Sequence, residues 1–277
     1  MLIANDMALL TFLPLGYFVL TTTGKQKYMA FTFVMQNIAA NLGGMLTPFG
    51  NPQNLYLYNR YGFPMGTFLS AIAPYSVLSL ALLAGSCLLF LPVQPIAPPR
   101  AQSRIQSPGR LGAYCLLFGV NLLTVLRILN PWILLGVICI ALLLLDRSLF
   151  RKADYSLLLT FVFFFIFVGN MGNIPALSGA LQRFLQGREL LTAVLASQVI
   201  SNVPAAILLS GLSEDGRALL IGTNLGGLGT LIASMASLIT YKLYAAAPGS
   251  QPKRYMGVFT LCNLAYLAAL LLLYAFI

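Results

Sequence analysis

Histidine is absent from this 277-residue sequence, and charged residues make up only 8% of it. Without histidine there is no imidazole for acid–base catalysis, for a Ser-His protease or for a histidine-based metal site. Soluble domains carry about 25% charged residues. The low charge, the 59% share of hydrophobic residues and the mean hydropathy of +0.86 therefore exclude a soluble domain and indicate an integral membrane protein.

Cysteine and acidic residues are also scarce. The four cysteines, Cys87, Cys115, Cys139 and Cys262, stand singly in apolar stretches, so we interpret them as small lipid-compatible residues rather than metal ligands or disulfide partners. Asp6 is the one acid that the pattern places within the membrane, where a charge costs about 2.5–3.5 kcal/mol on insertion scales. It should face a cavity, a cation or a proton; the alternative is a helix N-cap at an exposed terminus.

Long apolar stretches dominate what is present. The ones that approach the roughly 20 residues needed to span a bilayer cover residues 67–91, 111–126, 133–145, 155–168 and 255–277. Several other apolar stretches are shorter or interrupted. This pattern predicts an all-α, polytopic membrane protein.

Two glycine-rich segments interrupt the apolar sequence at membrane depth. Residues 222–234 contain Asn224-Leu-Gly-Gly followed by Thr230, and Asn41-Leu-Gly-Gly followed by Thr47 repeats this spacing in the first half. Backbone amides and carbonyls find no water at that depth, so a break in a helix survives only where it lines a site within the protein. Two broken helices in corresponding halves indicate a secondary transporter built from inverted repeats.

A polar tip around Asn202 separates two short apolar arms, residues 189–200 and 205–212. Each arm is too short to span a bilayer, which predicts a re-entrant hairpin. Residues 92–109 contain five prolines and predict a linker. We therefore divide the chain into a first inverted repeat (1–91, incomplete at its N-terminus), a cytoplasmic linker (92–110) and a second inverted repeat (111–277).

The first repeat begins abruptly. Residues 111–200 precede the hairpin tip in the second repeat, whereas only four residues precede Asn5. The repeat symmetry of such folds predicts that the chain begins inside a hairpin tip and that roughly 90–100 upstream residues are missing. The alternative is a shortened protein that fills the gap by forming oligomers.

Lysine and arginine are distributed unevenly over the loops. If the loop around Lys25 is inside, alternation places residues 94–110, 146–154 and 242–254 inside too. These loops hold eleven of the 16 cations: Lys25, Lys27, Arg100, Arg104, Arg110, Arg147, Arg151, Lys152, Lys242, Lys253 and Arg254. Short Lys/Arg-rich loops stay in the cytoplasm, which predicts a C-terminus outside, in a bacterial inner (plasma) membrane. The net charge of +10 thus reflects orientation and not a nucleic-acid surface.

Four segments together resemble the signatures of the ion transporter superfamily. They are Ala4-Asn5-Asp6-Met-Ala-Leu-Leu, Asn41-Leu-Gly-Gly…Thr47-Pro48…Gly50-Asn51-Pro52, Ser201-Asn202-Val203-Pro204 and Asn224-Leu-Gly-Gly…Thr230. The superfamily includes citrate-transporter-like, sodium–dicarboxylate, arsenite-permease and sodium/proton-antiporter branches. The resemblance implies two re-entrant hairpins meeting two broken helices, elevator-type transport and, often, dimers. The dicarboxylate branch typically has Ser-Asn-Thr at both tips, whereas this chain has Ala-Asn-Asp and Ser-Asn-Val, which favours the citrate-like or arsenite-permease-like branches.

The motifs carry over a candidate binding site in two halves. One half comprises Asn5, Asp6, Asn41, Gly43, Gly44, Thr47, Pro48 and Asn51, and the other comprises Ser201, Asn202, Pro204, Asn224, Gly226, Gly227 and Thr230. Unwound glycine carbonyls and the amide oxygens of Asn41 and Asn224 would suit a dehydrated Na+, and half-helix N-termini near Pro52 and Thr230 would present positive dipole ends to an anion. The alternative for the glycines is close helix packing, as between Gly222 and Gly226.

These features predict a secondary active transporter of a small anion, such as citrate, a dicarboxylate or an oxyanion, coupled to Na+ or H+ and using no other cofactor. The alternatives are an arsenite or Na+/H+ antiporter-like permease that uses Asp6 as the carrier, and a non-transporting remnant. An intramembrane enzyme is disfavoured because the sequence has neither histidine nor a pair of acids at depth. The predicted partners are the anionic substrate, the lipid bilayer and a second copy of the chain.

Overall fold

The computed structural model describes residues 5–92, 107–125, 128–152 and 182–277, with isolated positions between 155 and 179. These ranges are helical and contain no strand, which confirms the all-α prediction. The helices are α1 (Asn5–Thr22), a 3-10 helix (Gln26–Tyr28), α2 (Met29–Gly44), α3 (Pro52–Arg60), α4 (Met65–Phe90), α5 (Pro108–Val125), α6 (Pro131–Leu145), α7 (Ser148–Lys152), α8 (Glu189–Ile200), α9 (Asn202–Ser210), α10 (Gly216–Leu225), α11 (Met235–Ala246) and α12 (Pro252–Phe276).

Three of these helices, α4, α5 and α12, are long and apolar enough to cross a bilayer. Their apolar side chains lie largely on the outside; Leu89 in α4 is 81% exposed. A bilayer would cover that surface, so the exposed leucines agree with a membrane protein. Most of the predicted span at residues 155–168 and most of the linker at 92–110 lie outside the described residues.

The chain divides into two compact units. One comprises Met1–Ala97 and Phe165–Ile277, and it contains both interrupted helices. The other, Pro98–Phe164, contains α5, α6 and α7, with α5 packed on α6. The assignment of the two repeats and of the linker between them stays a prediction.

The first predicted break is confirmed: α2 ends at Gly44 and α3 begins at Pro52. The chain between them turns tightly, because a side chain on Gly50 would collide with the Gly44 carbonyl. The side-chain amide of Asn54 donates to the carbonyls of Met45 (3.1 Å) and Thr47 (3.2 Å). One amide thus supplies the donors that the unwound backbone would otherwise lack in a bilayer.

The second predicted break is confirmed as well: α10 ends at Leu225 and α11 begins at Met235. Ser234 is the N-cap of α11, where its hydroxyl accepts from Ala236 N at 3.2 Å. Gly229 has φ +114°, a conformation that residues with a Cβ rarely adopt. The half-helix N-terminus predicted near Thr230 therefore begins five residues later, because the glycines keep the chain unwound up to Ser234.

The predicted helical hairpin is formed by α8 and α9, and a single residue joins them. Ser201 has φ 72°, the one positive value at a non-glycine residue in the described ranges. The reversal at Ser201 ends α8 and lets Asn202 start α9. Pro204 lies in the first turn of α9, where a missing N–H has no intrahelical acceptor in any case.

Gly222 and Gly226 let α10 pack closely on α8. A Cβ on Gly222 would lie 2.6 Å from Leu190 O and 2.8 Å from the Ala193 methyl, and a Cβ on Gly226 would lie 2.5 Å from Ser197 Oγ. Small residues at this spacing allow helices to approach within a membrane. Close packing thus explains these two glycines.

Gly222→Ala should lower the stability of the protein, because overpacking a tight contact costs about 1–3 kcal/mol. The matched control is Gly85→Ala in α4, where an added Cβ meets open space. That control should be neutral or stabilising by about 0.5–1 kcal/mol, since alanine favours a helix. The measurement is the thermal unfolding midpoint in detergent, and an unchanged midpoint for Gly222→Ala would contradict the packing.

A hydrogen bond joins the turn after α3 to the turn before α10. Tyr61 Oη donates to Ser213 O at 2.7 Å, and a Cβ on Gly216 would lie 2.5 Å from the Tyr61 ring. Burial raises the pKa of Tyr61 to about 12, although the neighbouring Arg60 guanidinium lowers it. The protonated phenol that donates this bond is therefore retained well into alkaline solution.

The contribution of Tyr61 to stability should depend on pH in one direction. Because the pKa is raised on folding, the contribution is fully present below pH 10, the unperturbed value, and is lost as pH rises through about 12. The difference in unfolding midpoint between the parent protein and Tyr61→Phe should be constant from pH 7 to about 9 and then shrink. A difference that grows at alkaline pH would show that the phenol does not act as the donor.

Candidate functional site

The two breaks are joined by a reciprocal pair of hydrogen bonds. Asn51 Nδ2 donates to Asn224 Oδ1 (3.1 Å), and Ser234 Oγ donates to Asn41 Oδ1 (2.8 Å). Asn51 and Ser234 each lie ten residues after the first asparagine of their own break motif, and each occupies the N-cap position of the half-helix that follows. Each break asparagine thus accepts from the equivalent cap of the other break.

Asn224 is the most heavily bonded of these side chains. Its Oδ1 also accepts from Gln53 Nε2 at 3.3 Å, and its Nδ2 donates to Asn54 Oδ1 (2.6 Å) and to Leu220 O (2.8 Å). Asn224 is 2% exposed. Buried amides are tolerated only when paired, so this side chain fixes α3 against α10.

The residues that open α1 and α9 bind the breaks through equivalent backbone contacts. Asn5 N donates to Gly50 O at 3.0 Å, and Asn202 N donates to Ala233 O at 3.0 Å. Gly50 and Ala233 lie at the same position of the two break motifs, nine residues after the first asparagine. The structure therefore brings each predicted tip asparagine to the predicted break.

Gly227 lies where the hairpin tip and both breaks meet. A Cβ there would lie 3.0 Å from Asn202 Nδ2 and 3.8 Å from Asn41 Oδ1. The missing side chain allows the Asn202 amide to approach the break. The equivalent Gly44 lies against Asn51 Oδ1, which a side chain at that position would strike.

Three buried polar atoms around this network have no hydrogen-bond partner among the described residues: Asp6 Oδ1, Asn41 Nδ2 and Asn51 Oδ1. Asp6 follows Asn5, whose amide is bonded to Gly50, the residue before Asn51, so all three belong to the same neighbourhood. Leaving such an atom unpaired costs about 1–3 kcal/mol. Two acceptors and one donor without partners suit a bound polar ligand or ion.

Several oxygens that we predicted as Na+ ligands accept protein hydrogen bonds in this conformation. The Asn41 and Asn224 oxygens accept from Ser234 and Asn51, and Gly226 O accepts from Gln198 Nε2 at 2.9 Å. A cation at these oxygens would share or displace those donors. The role of these residues in ion binding stays a prediction.

The remaining predicted residues lie around the network. Thr230 is exposed, and its hydroxyl donates to Gln198 O at 3.1 Å. Thr47 is half-buried, and its carbonyl accepts from Asn54. Ser201 is half-buried at the tip, with its hydroxyl 3.4 Å from Ala233 O. The others complete the backbone of the site: Gly43, half-buried at the end of α2, Pro48, buried in the first break, and Pro204, buried in α9.

Gln198 is a positioning residue that the motifs did not reveal. Its Nε2 donates to the carbonyls of Gly226 and Leu228, both at 2.9 Å, and its Oε1 accepts from Thr230 N at 2.8 Å. One side chain on α8 thus satisfies three backbone groups of the second break. Its position in the last turn of α8, three residues before Ser201, was the available signal.

Asn54, Gln53 and Ser234 were also missed. Ser234 could have been found by extending the comparison of the two breaks by a few residues, to the position of Asn51. Asn54 and Gln53 follow Pro52 in α3. The equivalent positions of the second break are Ser237 and Ala236, which carry no side-chain amide. Repeat symmetry therefore gave no signal for them.

This fold and site define an all-α membrane protein with paired broken helices, the architecture of a secondary transporter. A sequence profile of the citrate transporter family matches residues 1–215. The chain belongs to this family, a branch of the ion transporter superfamily. The family assignment also points away from an enzyme.

Two curated relatives are similar over most of the chain. An uncharacterized transporter of Methanocaldococcus jannaschii is 33% identical over 243 residues, which are 87% of this chain and 66% of that protein. The inner membrane protein YbiR of Escherichia coli is 32% identical over 253 residues, 87% of this chain and 65% of that protein. The chain therefore spans slightly less than two thirds of the length of these relatives.

Replacing Gln198 with leucine should loosen the second break specifically. The carbonyls of Gly226 and Leu228 and the amide of Thr230 would lose their partner, which costs about 1–3 kcal/mol for each buried group. Hydrogen exchange of residues 226–231 in detergent should accelerate at least about tenfold. Gln36→Leu is the control, because Gln36 bonds Phe12 O on α1 and not the break. Equal protection of residues 226–231 in both variants would contradict the role of Gln198.

Proposed function

We propose that the protein is a secondary active transporter that moves a small anion, such as citrate, a dicarboxylate or an oxyanion, in coupling with Na+ or H+. The observation that carries the proposal is the junction of the two broken helices. Asn51 and Ser234 bond each break to the other, and buried polar atoms with no partner lie beside them. Membership of the citrate transporter family supports the anionic substrate class.

The electrostatics of the junction suit an anion and a cation together. The half-helices α3 and α11 both start at the junction, and helix N-termini carry partial positive charge that favours anions. The unpaired oxygens of Asp6 and Asn51 favour a cation or, at Asp6, a proton. Binding of the cation beside the anion would couple the two movements, because each offsets the charge of the other.

The proposed setting follows from the cation-rich loops and the family. We expect a multi-pass protein of a bacterial inner membrane with its C-terminus outside, working as a homodimer. An arsenite or Na+/H+ antiporter-like activity is the second candidate, favoured by Asp6, a half-buried residue whose Oδ1 is buried. One assay separates the two, as the substrates differ in charge and in their response to pH.

The test is uptake into proteoliposomes of labelled citrate, succinate, sulfate and arsenite, with and without gradients of Na+ and pH. Asn202→Ala and Asn224→Ala should each reduce uptake by about tenfold or more, because each removes an amide from the junction. The control is Asn59→Ala in α3, whose exposed amide bonds only Leu55 O of its own helix among the contacts described. Normal uptake by both junction variants, with correct insertion verified, would refute the assigned site.

Asp6→Asn should change the coupling rather than the substrate. Loss of the carboxylate removes a titratable group and a negative charge, so the dependence of uptake on Na+ or on external pH should weaken by about tenfold while the order of preferred anions is kept. The readout is the initial rate against Na+ concentration at several pH values. An unchanged Na+ and pH dependence would assign Asp6 to a structural role.

A further inference from the structure

A polar cavity and an apolar crevice adjoin each other far from the junction of the broken helices. The polar one, here called the basic cavity, has a volume of about 420 Å³ and is lined by Gln26, Lys27, Tyr244, Gln251 and Arg254, among others. It lies between the turn after α1 and the turn between α11 and α12. The cation distribution of the sequence assigns this face to the cytoplasm.

The basic cavity is suited to an anionic group. It brings together two cations from distant parts of the chain, Lys27 and Arg254, and among the described residues no carboxylate lines it. Gln251, the N-cap of α12, makes no side-chain cap bond, so the first turn of this 25-residue helix adds its positive dipole end. Lys27 Nζ lies 5.0 Å from the centre of the Tyr28 ring, a cation–π contact that orients it.

The apolar crevice adjoins this cavity. It has a volume of about 240 Å³ and is lined by Leu13, Pro14, Phe33, Leu243 and Ala246, among others. Pro248 lines both spaces. Phe33 of the crevice packs edge-on against Tyr244 of the basic cavity, with ring centres 5.8 Å apart. The two spaces therefore share part of their lining.

We propose that the basic cavity and the apolar crevice together bind one anionic glycerophospholipid of the cytoplasmic leaflet. The phosphate would contact Lys27 and Arg254, and an acyl chain would lie along the exposed lining residues of the crevice, Pro14, Leu243 and Ala246. A free phosphate would use the basic cavity alone and leave the crevice without a role. Basic pockets at the cytoplasmic surface of membrane proteins bind lipid headgroups by this combination of charge and apolar contact. The inference does not depend on transport activity.

The experiment is native mass spectrometry of the full chain in detergent with added phosphatidylglycerol, phosphatidylcholine or inorganic phosphate. Phosphatidylglycerol should bind more tightly than phosphatidylcholine, and Lys27→Gln and Arg254→Gln should each weaken its binding about fivefold. Lys253→Gln is the matched control, since this exposed cation is adjacent in sequence and does not line the cavity. All three side chains are exposed, so the variants should fold.

A second pair of variants tests the crevice. Ala246→Phe should fill it and weaken binding of phosphatidylglycerol several-fold, whereas Ala245→Phe, at an exposed position outside the lining, should not. Equal binding of the two lipids, or equal effects of Lys253→Gln and Arg254→Gln, would overturn the proposal. Competition by inorganic phosphate together with normal lipid binding by Ala246→Phe would reduce the site to a free-anion site and overturn the lipid assignment.

Discussion

A bilayer supplies no water to an unwound backbone, and the structure around the two breaks is organised by that constraint. Side-chain amides take the place of water. Asn54 donates to carbonyls of the first break, and Gln198 donates to and accepts from backbone groups of the second. The amides can do this only because glycines let the hairpin and the half-helices approach closely. The breaks are therefore held by tertiary contacts rather than by their own conformational preference.

The same amides that hold the breaks also join them, and this has a consequence for the proposed transport. Asn224 is bonded at once to α3 and to its own helix, so any movement that separates the halves must break several buried hydrogen bonds together. A ligand that forms hydrogen bonds in place of the broken ones would lower that cost, whereas an ion that forms none would not. In the proposed transporter, binding and movement would be coupled through these hydrogen bonds, and Asp6 is the charged residue that the described part of the chain places at the junction.

The glycines of the second break differ in what they contact. Gly222 and Gly226 face α8, where small residues bring two helices together, whereas Gly227 faces the Asn202 amide. Residues in one short motif thus serve different purposes according to the direction in which each faces. The lipid site proposed on the cytoplasmic face lies along the C-terminal halves of α1 and α11, whose first residues bond the junction, so its occupancy would act on the same helices at their other ends.

The sequence by itself determined the membrane setting, both breaks, the hairpin at Ser201 and the equivalence of the two Asn-Leu-Gly-Gly motifs, because each depends on local composition or spacing. It could not determine the partners of the polar side chains. The bond of Asn51 to Asn224 spans 173 residues, Gln198 acts through a loop 28 to 32 residues away, and Thr230 lies on the exposed side of its break. Only the tertiary structure decided these, since the direction of a side chain in an unwound segment follows from packing and no helical period specifies it.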